Sequence, residues 1–390
     1  MAEWHALREE LVARVRTRGI SEAVTDALRA VPRHVFLPEL PAENVYQDDP
    51  IVTKRDADGL PISSSSQPAI MALMLDQLGV EPGHRVLEIG AGTGYNAALL
   101  AHLAGPRGRV VSVDIDPDLV GRAREHVAAA GHPEVTVVCG DGAEGFPAGA
   151  PYDRIIATVG VWDLAPAWLE QLGPGGRLVA PLDLRGVQRS VAMERVGGHW
   201  ASRSVLPCGF MRMRGPFAGP EVTLVLDRDS DLTISLPEAS EVGDLLAVLG
   251  GPAVEMSTEI SVSRAQLLDG LSLWLAVHEP RSCTMSEAQP GWLASPPLDP
   301  TGFRMAVGMV ERDSLCLLEP APDGTLIARG HGPGRMRLAS EMVGHVQAWD
   351  MADRPMTAGL RIAAHLGAAP GDGLLIRKRH TTLALSWEDV

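Results

Sequence analysis

Two short stretches hold most of the residues whose types and spacing could do chemistry. The first is RVLEIGAGTGYNAALLA, residues 85–101. A short apolar run leads into Gly90, Gly92 and Gly94, and a helical pattern follows. Glycines there let the backbone turn and approach a ligand without a Cβ clash. A strand-to-helix turn of this kind is a nucleotide position at the carboxyl edge of a sheet. A dinucleotide fingerprint would need glycine at position 95, which is tyrosine. The pattern is instead E-x-G-x-G-x-G, with Glu88 ahead of the glycines. Two more acids close later strands. Asp114, followed by Ile115, ends VVSVDI and can accept both hydroxyls of a ribose; Asp141-Gly142 ends VTVVCGD, where Asp141 can accept from an adenine amino group. A lone glycine turn often binds nothing, and Asp114 could simply cap the helix at Pro117. Three acids at three successive strand ends favour a bound nucleoside.

The second stretch is Ser63-Ser64-Ser65-Ser66-Gln67-Pro68. On composition alone, four serines read as a flexible polar loop. As hydroxyl donors beside a nucleoside site, they could instead orient an anionic acceptor oxygen. A side-chain carboxylate, with a reference pKa near ~4, is already ionised at neutral pH and needs no strong base. Catalysis then reduces to alignment and exclusion of water.

The elements that must position these groups alternate regularly. PAIMALMLDQLG, YNAALLAHLA, DLVGRAREHVAAAG and LAPAWLEQLG carry helical patterns; RVLEIG, RVVSVDI, VTVVCGD, YDRIIATVG and GRLVAPL read as buried strands. That rhythm implies an α/β fold with a parallel-dominated, doubly wound sheet. Two helices precede it, with Trp4, Leu7, Leu11 and Val15 on one face and Ser21 as a cap for the second. Residues 41–66 read as irregular. After Pro220 the rhythm breaks into short strands and helices, including a Ser263/Gln266 capping box and a helix with Leu338, Met342, Val346 and Trp349 on one face. The expected division is therefore 1–60 (helices and substrate approach), 61–220 (catalytic) and 221–390 (an α+β accessory domain).

Bulk properties narrow the function classes. The chain has 390 residues and a formal net charge of −15, whereas nucleic-acid binders are more often basic. No nucleic-acid partner is expected. No stretch approaches the ~20 apolar residues of a membrane span, and the charged N-terminus lacks the apolar core of a secretory signal. No membrane association and a cytoplasmic location are expected. Cys139, Cys208, Cys283 and Cys316 form no C-x-x-C pair, and the histidines show no metal-ligand spacing. No metal site is expected, and the thiols should be reduced and mostly buried.

The E-x-G-x-G-x-G run resembles the first motif of class I S-adenosylmethionine-dependent methyltransferases. VPRHVFLPE, residues 31–39, resembles the VPR-x-x-F segment of the protein-L-isoaspartate O-methyltransferase family. SSSSQPAIMALML is similar to that family's T-I-S-Q/A-P segment, and VLEIGAGTGY, CGDG and YDRIIATVG…GPGGRLVAP follow in the family's order. The resemblance spans about residues 5–220. It implies a Rossmann-like methyltransferase with S-adenosyl-L-methionine as cofactor, held by Glu88, Gly90, Gly92, Gly94, Asp114, Ile115, Asp141 and Gly142. It also implies that Ser66 contacts the acceptor carboxylate, with Ser64 at the position of the family threonine and Ser65 between them. Gln67 opens the next helix and counts as a substrate-side residue.

Three departures bear on the acceptor. TKRDADGLPISSSSQP replaces a compact glycine-rich approach, Trp162-Asp163 replaces small residues and prolines, and the chain continues for a further 170 residues or so. Together they resemble the extended homologues called FxLD-system methyltransferases, which accompany ribosomally made, modified peptides such as lanthipeptides and graspetides. That resemblance implies methylation of an encoded aspartate in a macrocyclic precursor peptide, the ester closing to aspartimide and opening to isoaspartate. The alternatives are repair of isoaspartate in damaged linear chains, or a non-catalytic cofactor-binding scaffold. Trp162 is expected against the peptide or in a core. The accessory domain is expected to bind the peptide or form a homodimer contact, and the basic run Arg377-Lys378-Arg379-His380 reads as a solvated strand end.

Overall fold

The computed structural model describes residues 2–388 apart from 58, 60, 299–301 and 372. The chain divides into two compact units: residues 1–182, 188–219 and 361–384 form the first, and residues 183–187, 220–360 and 385–390 the second.

In the first unit, α1 (Ala2–Arg16), α2 (Glu22–Ala30) and α3 (Ala42–Val45) precede a hairpin of β1 (Ile51–Arg55) and β2 (Pro61–Ser65). Then come α4 (Pro68–Leu78), β3 (Arg85–Ile89), α5 (Tyr95–Ala104), β4 (Arg109–Asp114), α6 (Pro117–Ala129), β5 (Thr136–Cys139), β6 (Tyr152–Ala157), α7 (Pro166–Gln171), β7 (Leu172–Asp183), β8 (Gln188–Val196) and β9 (His199–Pro207). Strands β3 to β7 pair in parallel in the order β7-β6-β3-β4-β5. α5 packs on β3 and β4, α6 on β4 and β5, and α4 on β6. This is the Rossmann-like α/β arrangement that the strand–helix rhythm implies. The opening helices share its core: Leu11, Val12, Val15, Val24 and Leu28 are buried in one cluster with Met74, Leu75 and Leu99. The segment before residue 60 thus packs as part of the first unit, its helices burying their apolar face in that core.

The stretch expected to be irregular contains α3 and the β1–β2 hairpin. Polar strands give little periodic signal; tertiary contacts hold these two. Lys54 Nζ sits 2.8 Å from Asp116 and 2.9 Å from Asp118 at the start of α6, and the Thr53 hydroxyl donates to Ser63 Oγ at 3.0 Å.

The second unit contains β10 (Val222–Asp227), β11 (Leu232–Leu236), α8 (Leu245–Leu249), β12 (Ala253–Ser261), α9 (Ser272–His278), β13 (Ser282–Glu287), β14 (Arg304–Glu311), β15 (Ser314–Pro320), β16 (Thr325–His331) and α10 (Arg335–Met351). Its seven strands pair antiparallel in the order β10-β11-β13-β14-β15-β16-β12. β15 is buried on both faces: Cys316 and Leu318 join the cluster under α10, while Leu315 and Leu317 join the cluster under α8. Ser263 and Gln266 form the reciprocal cap, at 2.9 and 3.2 Å. Cys283 and Cys316 are buried here, and burial pushes both thiols upward, Cys316 to about 12. Cys139 of β5 is exposed.

The chain then returns. β17 (Leu360–Leu366), β18 (Leu374–Arg377) and β19 (Thr381–Trp387) extend the first sheet to ten strands, in the order β18-β19-β17-β9-β8-β7-β6-β3-β4-β5. The accessory segment expected over 221–390 therefore ends near residue 360. β9 offers an unpaired strand edge, and β17 pairs with it antiparallel through Ala363–Ala201 and Ala364–Trp200. Nothing local to RIAAHL advertises so distant a partner.

Candidate functional site

At the carboxyl ends of β3, β4 and β6 lies a cleft with about 880 Å³ of empty space, its open mouth included. Residues 62–66, Met71, Glu88 to Thr93, Tyr95, Asn96, Val113 to Ile115, Gly142, Thr158, Val159 and residues 210–214 line it. The glycine turn is held open in the left-handed region, with φ of +100° at Gly90, +52° at Gly92 and +88° at Gly94. A Cβ at Gly90 would lie 2.9 Å from Thr158 Oγ1 and Val159 Cγ1. Gly94 does not line the cleft. It packs on α6, where a Cβ would meet Val127 Cγ1 at 3.0 Å and the Ala123 carbonyl at 3.1 Å.

The three acids take different positions. Asp114 lines the cleft and ties the turn together: Gly92 N–H donates to Oδ2 and Asp116 N–H to Oδ1, each at 3.0 Å. Each carboxylate oxygen retains a second lone pair for ribose hydroxyls. Ile115 beside it is 37% exposed, an apolar surface suited to a purine face. Glu88 is fully buried; Asn96 Nδ2 donates to Oε1 at 2.7 Å and the Ser112 hydroxyl to Oε2. Burial drives its pKa up to about 7, against the two hydrogen bonds that favour the anion. Asp141 is not among the lining residues; its carboxylate caps a short helical turn by accepting from Ala143 N–H at 3.0 Å. Gly142 is lining, with its carbonyl held by the buried Trp168 Nε1–H at 2.8 Å. Trp168 carries no motif signal, and sequence reasoning missed it.

Alternation along β2 separates Ser63 and Ser65 from Ser64, and Ser66 follows the strand end. Ser63 and Ser65 are buried, Ser64 and Ser66 only half-buried. Ser63 Oγ accepts from Thr53, and Ser65 Oγ accepts from Arg33 Nη2 at 3.3 Å. The hydroxyls of Ser64 and Ser66 have no hydrogen-bond partner among the described residues and stand at the cleft. Ser65 also lines the cleft, with its hydroxyl already engaged by Arg33. Gln67 also turns away: its Nε2 donates to Asp48 Oδ2 at 3.2 Å, while Asp48 Oδ1 accepts from Ala69 N–H at 2.8 Å and so caps α4.

Arg33 enters the sequence reading only as a letter of the VPR segment, with no role of its own. It is fully buried, and its Nη2 donates to the Ser66 carbonyl at 3.1 Å as well as to Ser65. Burial lowers its pKa, yet a guanidinium stays charged, so a fixed positive charge sits behind the serine turn. Thr158 was missed too; its hydroxyl donates to the Gly90 carbonyl at 2.7 Å and fixes the first glycine. So was the segment 210–214, whose start is pinned by Gln188: Nε2 donates to Phe210 O at 3.0 Å, and Oε1 accepts from Phe210 N–H at 2.7 Å. Its alternating Arg212 and Arg214 were the available signal. Trp162 lies outside the cleft lining, with Lys378 Nζ 5.1 Å and Arg379 Cζ 5.9 Å from its ring centroid.

Comparison with known proteins agrees with this geometry. The family described as protein-L-isoaspartate(D-aspartate) O-methyltransferase matches residues 6–215. A protein-L-isoaspartate O-methyltransferase of Methanopyrus kandleri is 40% identical over 220 residues, covering 55% of this chain and 95% of that one. One from Methanoculleus marisnigri is 44% identical over 196 residues, covering 49% and 84%. A solved structure titled protein-L-isoaspartate O-methyltransferase, 24% identical, superposes with a TM-score of 0.55 across 98% of this chain and 100% of its own, and shares the fold. With more than half of its length matched and the glycine turn, acids and serine hairpin assembled at one cleft, the chain belongs to the protein-L-isoaspartate(D-aspartate) O-methyltransferase family.

Proposed function

We propose that the protein methylates the free carboxylate of isoaspartyl residues in linear peptides and proteins, with S-adenosyl-L-methionine as donor. The observation that carries this reading is the pair of unengaged hydroxyls on Ser64 and Ser66, facing a glycine cradle in a chain of this family. The cleft residues fit the cofactor: glycines 90 and 92 admit close backbone approach, Asp114 keeps acceptor capacity, and Ile115 offers an apolar face. The cofactor supplies an electrophilic sulfonium methyl. Everything else is positioning by the chain. Ser64 and Ser66 donate to the acceptor carboxylate and aim one oxygen. Arg33 behind the turn, with Arg212 and Arg214 on the wall, offsets the repulsion that a chain of charge −15 exerts on an anion. No base is required, since the acceptor is already ionised. In an isoaspartyl residue the backbone runs through the side-chain carbonyl and leaves the α-carboxylate on a short branch. Once it is esterified, the neighbouring amide nitrogen attacks the ester carbonyl, methanol leaves, and the ring hydrolyses to aspartyl or isoaspartyl.

The extension was one of three departures behind the expectation of an encoded aspartate in a macrocyclic peptide. A fold of matching extent occurs in a solved protein titled as an isoaspartate methyltransferase, so the extension does not favour tailoring over repair. Mass spectrometry separates them. Purified protein with cofactor should add one methyl, later lost as methanol, to a linear isoaspartyl peptide and leave its aspartyl isomer unchanged. Methylation confined to a macrocyclic aspartyl peptide would overturn the repair reading.

A further inference from the structure

The isolated Trp162 and the basic run at 377–380, which the sequence leaves unrelated, meet at one place in the first unit. We propose that Trp162, Lys378 and Arg379 form a cationic rim that grips carboxylates of the acceptor peptide a few residues away from the reacting one. The inference rests on the isoaspartyl reading and names the peptide class that reading leaves open: acceptors flanked by aspartate or glutamate.

The rim is built, not merely exposed. Asp163 is fully buried at the end of the loop that follows β6. Its Oδ2 accepts from His380 N–H and its Oδ1 from the Thr381 hydroxyl, both at 2.6 Å. These bonds, with Lys378 N–H donating to Thr381 O at 2.8 Å, latch the β18–β19 turn beside Trp162. Both cations then lie over the same indole, at 5.1 and 5.9 Å, where ring attraction holds them in place. A second fastening runs to the cleft wall. Arg379 Nη1 donates to Pro216 O at 3.2 Å and its guanidinium lies 6.0 Å from the Phe217 ring, which stacks on His380 at 5.7 Å. Pro216 is two residues past Arg214, and Trp162 three past Val159; both Arg214 and Val159 line the cleft. At 3.8 Å per Cα step, the rim begins within about 11 Å of the cleft wall. An extended peptide rises about 3.3 Å per residue, so the rim meets side chains roughly three positions from the acceptor.

Charge supplies the choice of occupant. Lys378 and Arg379 lie over Trp162, and Arg212 and Arg214, the latter 3.6 Å from Asp116, line the nearby cleft, in a chain whose net charge is −15. An acidic peptide is repelled by the molecule as a whole and attracted at the rim, which makes the patch selective in orientation as well as composition.

The test compares two isoaspartyl peptides, one with carboxylates three positions from the acceptor and one with glutamines there. Wild type should favour the acidic peptide through KM, with the preference shrinking as salt rises. The double variant Lys378→Glu/Arg379→Glu should raise KM for the acidic peptide about tenfold while kcat and the KM for the neutral peptide stay within about twofold. Lys378→Gln/Arg379→Gln should fall between. Equal effects on both peptides, or none on either, would overturn the rim. A wild-type protein that methylates neither peptide would instead overturn the isoaspartyl reading on which the rim depends.

Discussion

Ser63 to Ser66 look interchangeable as letters, yet the end of β2 and the residue just past it give them two fates. All four line the cleft, but the hydroxyls of Ser63 and Ser65 are engaged with Thr53 and Arg33, whereas those of Ser64 and Ser66 have no partner among the described residues. Ser66→Ala should therefore lower kcat by roughly tenfold to a hundredfold through lost alignment, with affinity for S-adenosylhomocysteine unchanged by calorimetry; wild-type turnover would remove Ser66 from the site. Glu88 makes a different prediction. Its pKa in the folded chain is raised to about 7 from an ordinary 4.5, so between those values the folded state holds the proton more tightly than the unfolded one. The stabilisation is complete below the unfolded value and is lost as pH rises through the folded one, a penalty of a few kcal/mol at most. Glu88→Gln carries no such titration. Its Tm relative to wild type should climb between pH 5 and pH 8, and a constant offset across that range would refute the buried, proton-holding acid.

The β1–β2 hairpin carries those serines, and its position depends on Lys54 bridging to Asp116 and Asp118. Lys54→Met should loosen it: hydrogen exchange over residues 51–65 rises, turnover falls several-fold, and cofactor affinity changes little because Asp114 keeps its own backbone partners. Unaltered exchange would show that pairing within the hairpin suffices. This hairpin also marks where sequence reading stops. Strands such as RVLEIG and helices such as YNAALLAHLA were legible because burial writes itself as apolar runs and periodicity. The glycine turn and Asp114 were legible because their chemistry is local. Ser63 to Ser66 have neither signal, since they are held by Arg33 and Thr53, and Lys54 on the neighbouring strand is held by Asp116, distant in the chain. Asp141 and Gly94 were assigned by motif position, and only packing shows that one caps a turn and the other seats a helix. The strand Ala253–Ser261 went unread although Val254, Met256 and Ile260 alternate with polar residues along it.

Across the whole molecule, the catalytic sheet is completed by strands that arrive after a 141-residue excursion, Pro220–Leu360. A chain truncated after Gly219 would leave the β9 edge unpaired and strip buried Asp163 of the His380 N–H and the Thr381 hydroxyl, leaving it Leu164 N–H at 2.8 Å, a loss of about 1–3 kcal/mol from the carboxylate alone. Such a chain should melt well below the full-length protein, and Asp163→Ala should cost less stability in the truncated chain than in the full one. Equal costs in both would mean that the latch contributes nothing. Every part of the account, from the glycine turn to the cationic rim, presupposes a methyl donor lying in the cleft against Asp114. Isothermal titration of the full-length protein with S-adenosylhomocysteine tests that directly. The account predicts saturable one-to-one binding that Asp114→Ala abolishes or severely weakens. Absence of binding in a folded sample, or binding indifferent to Asp114, would contradict it.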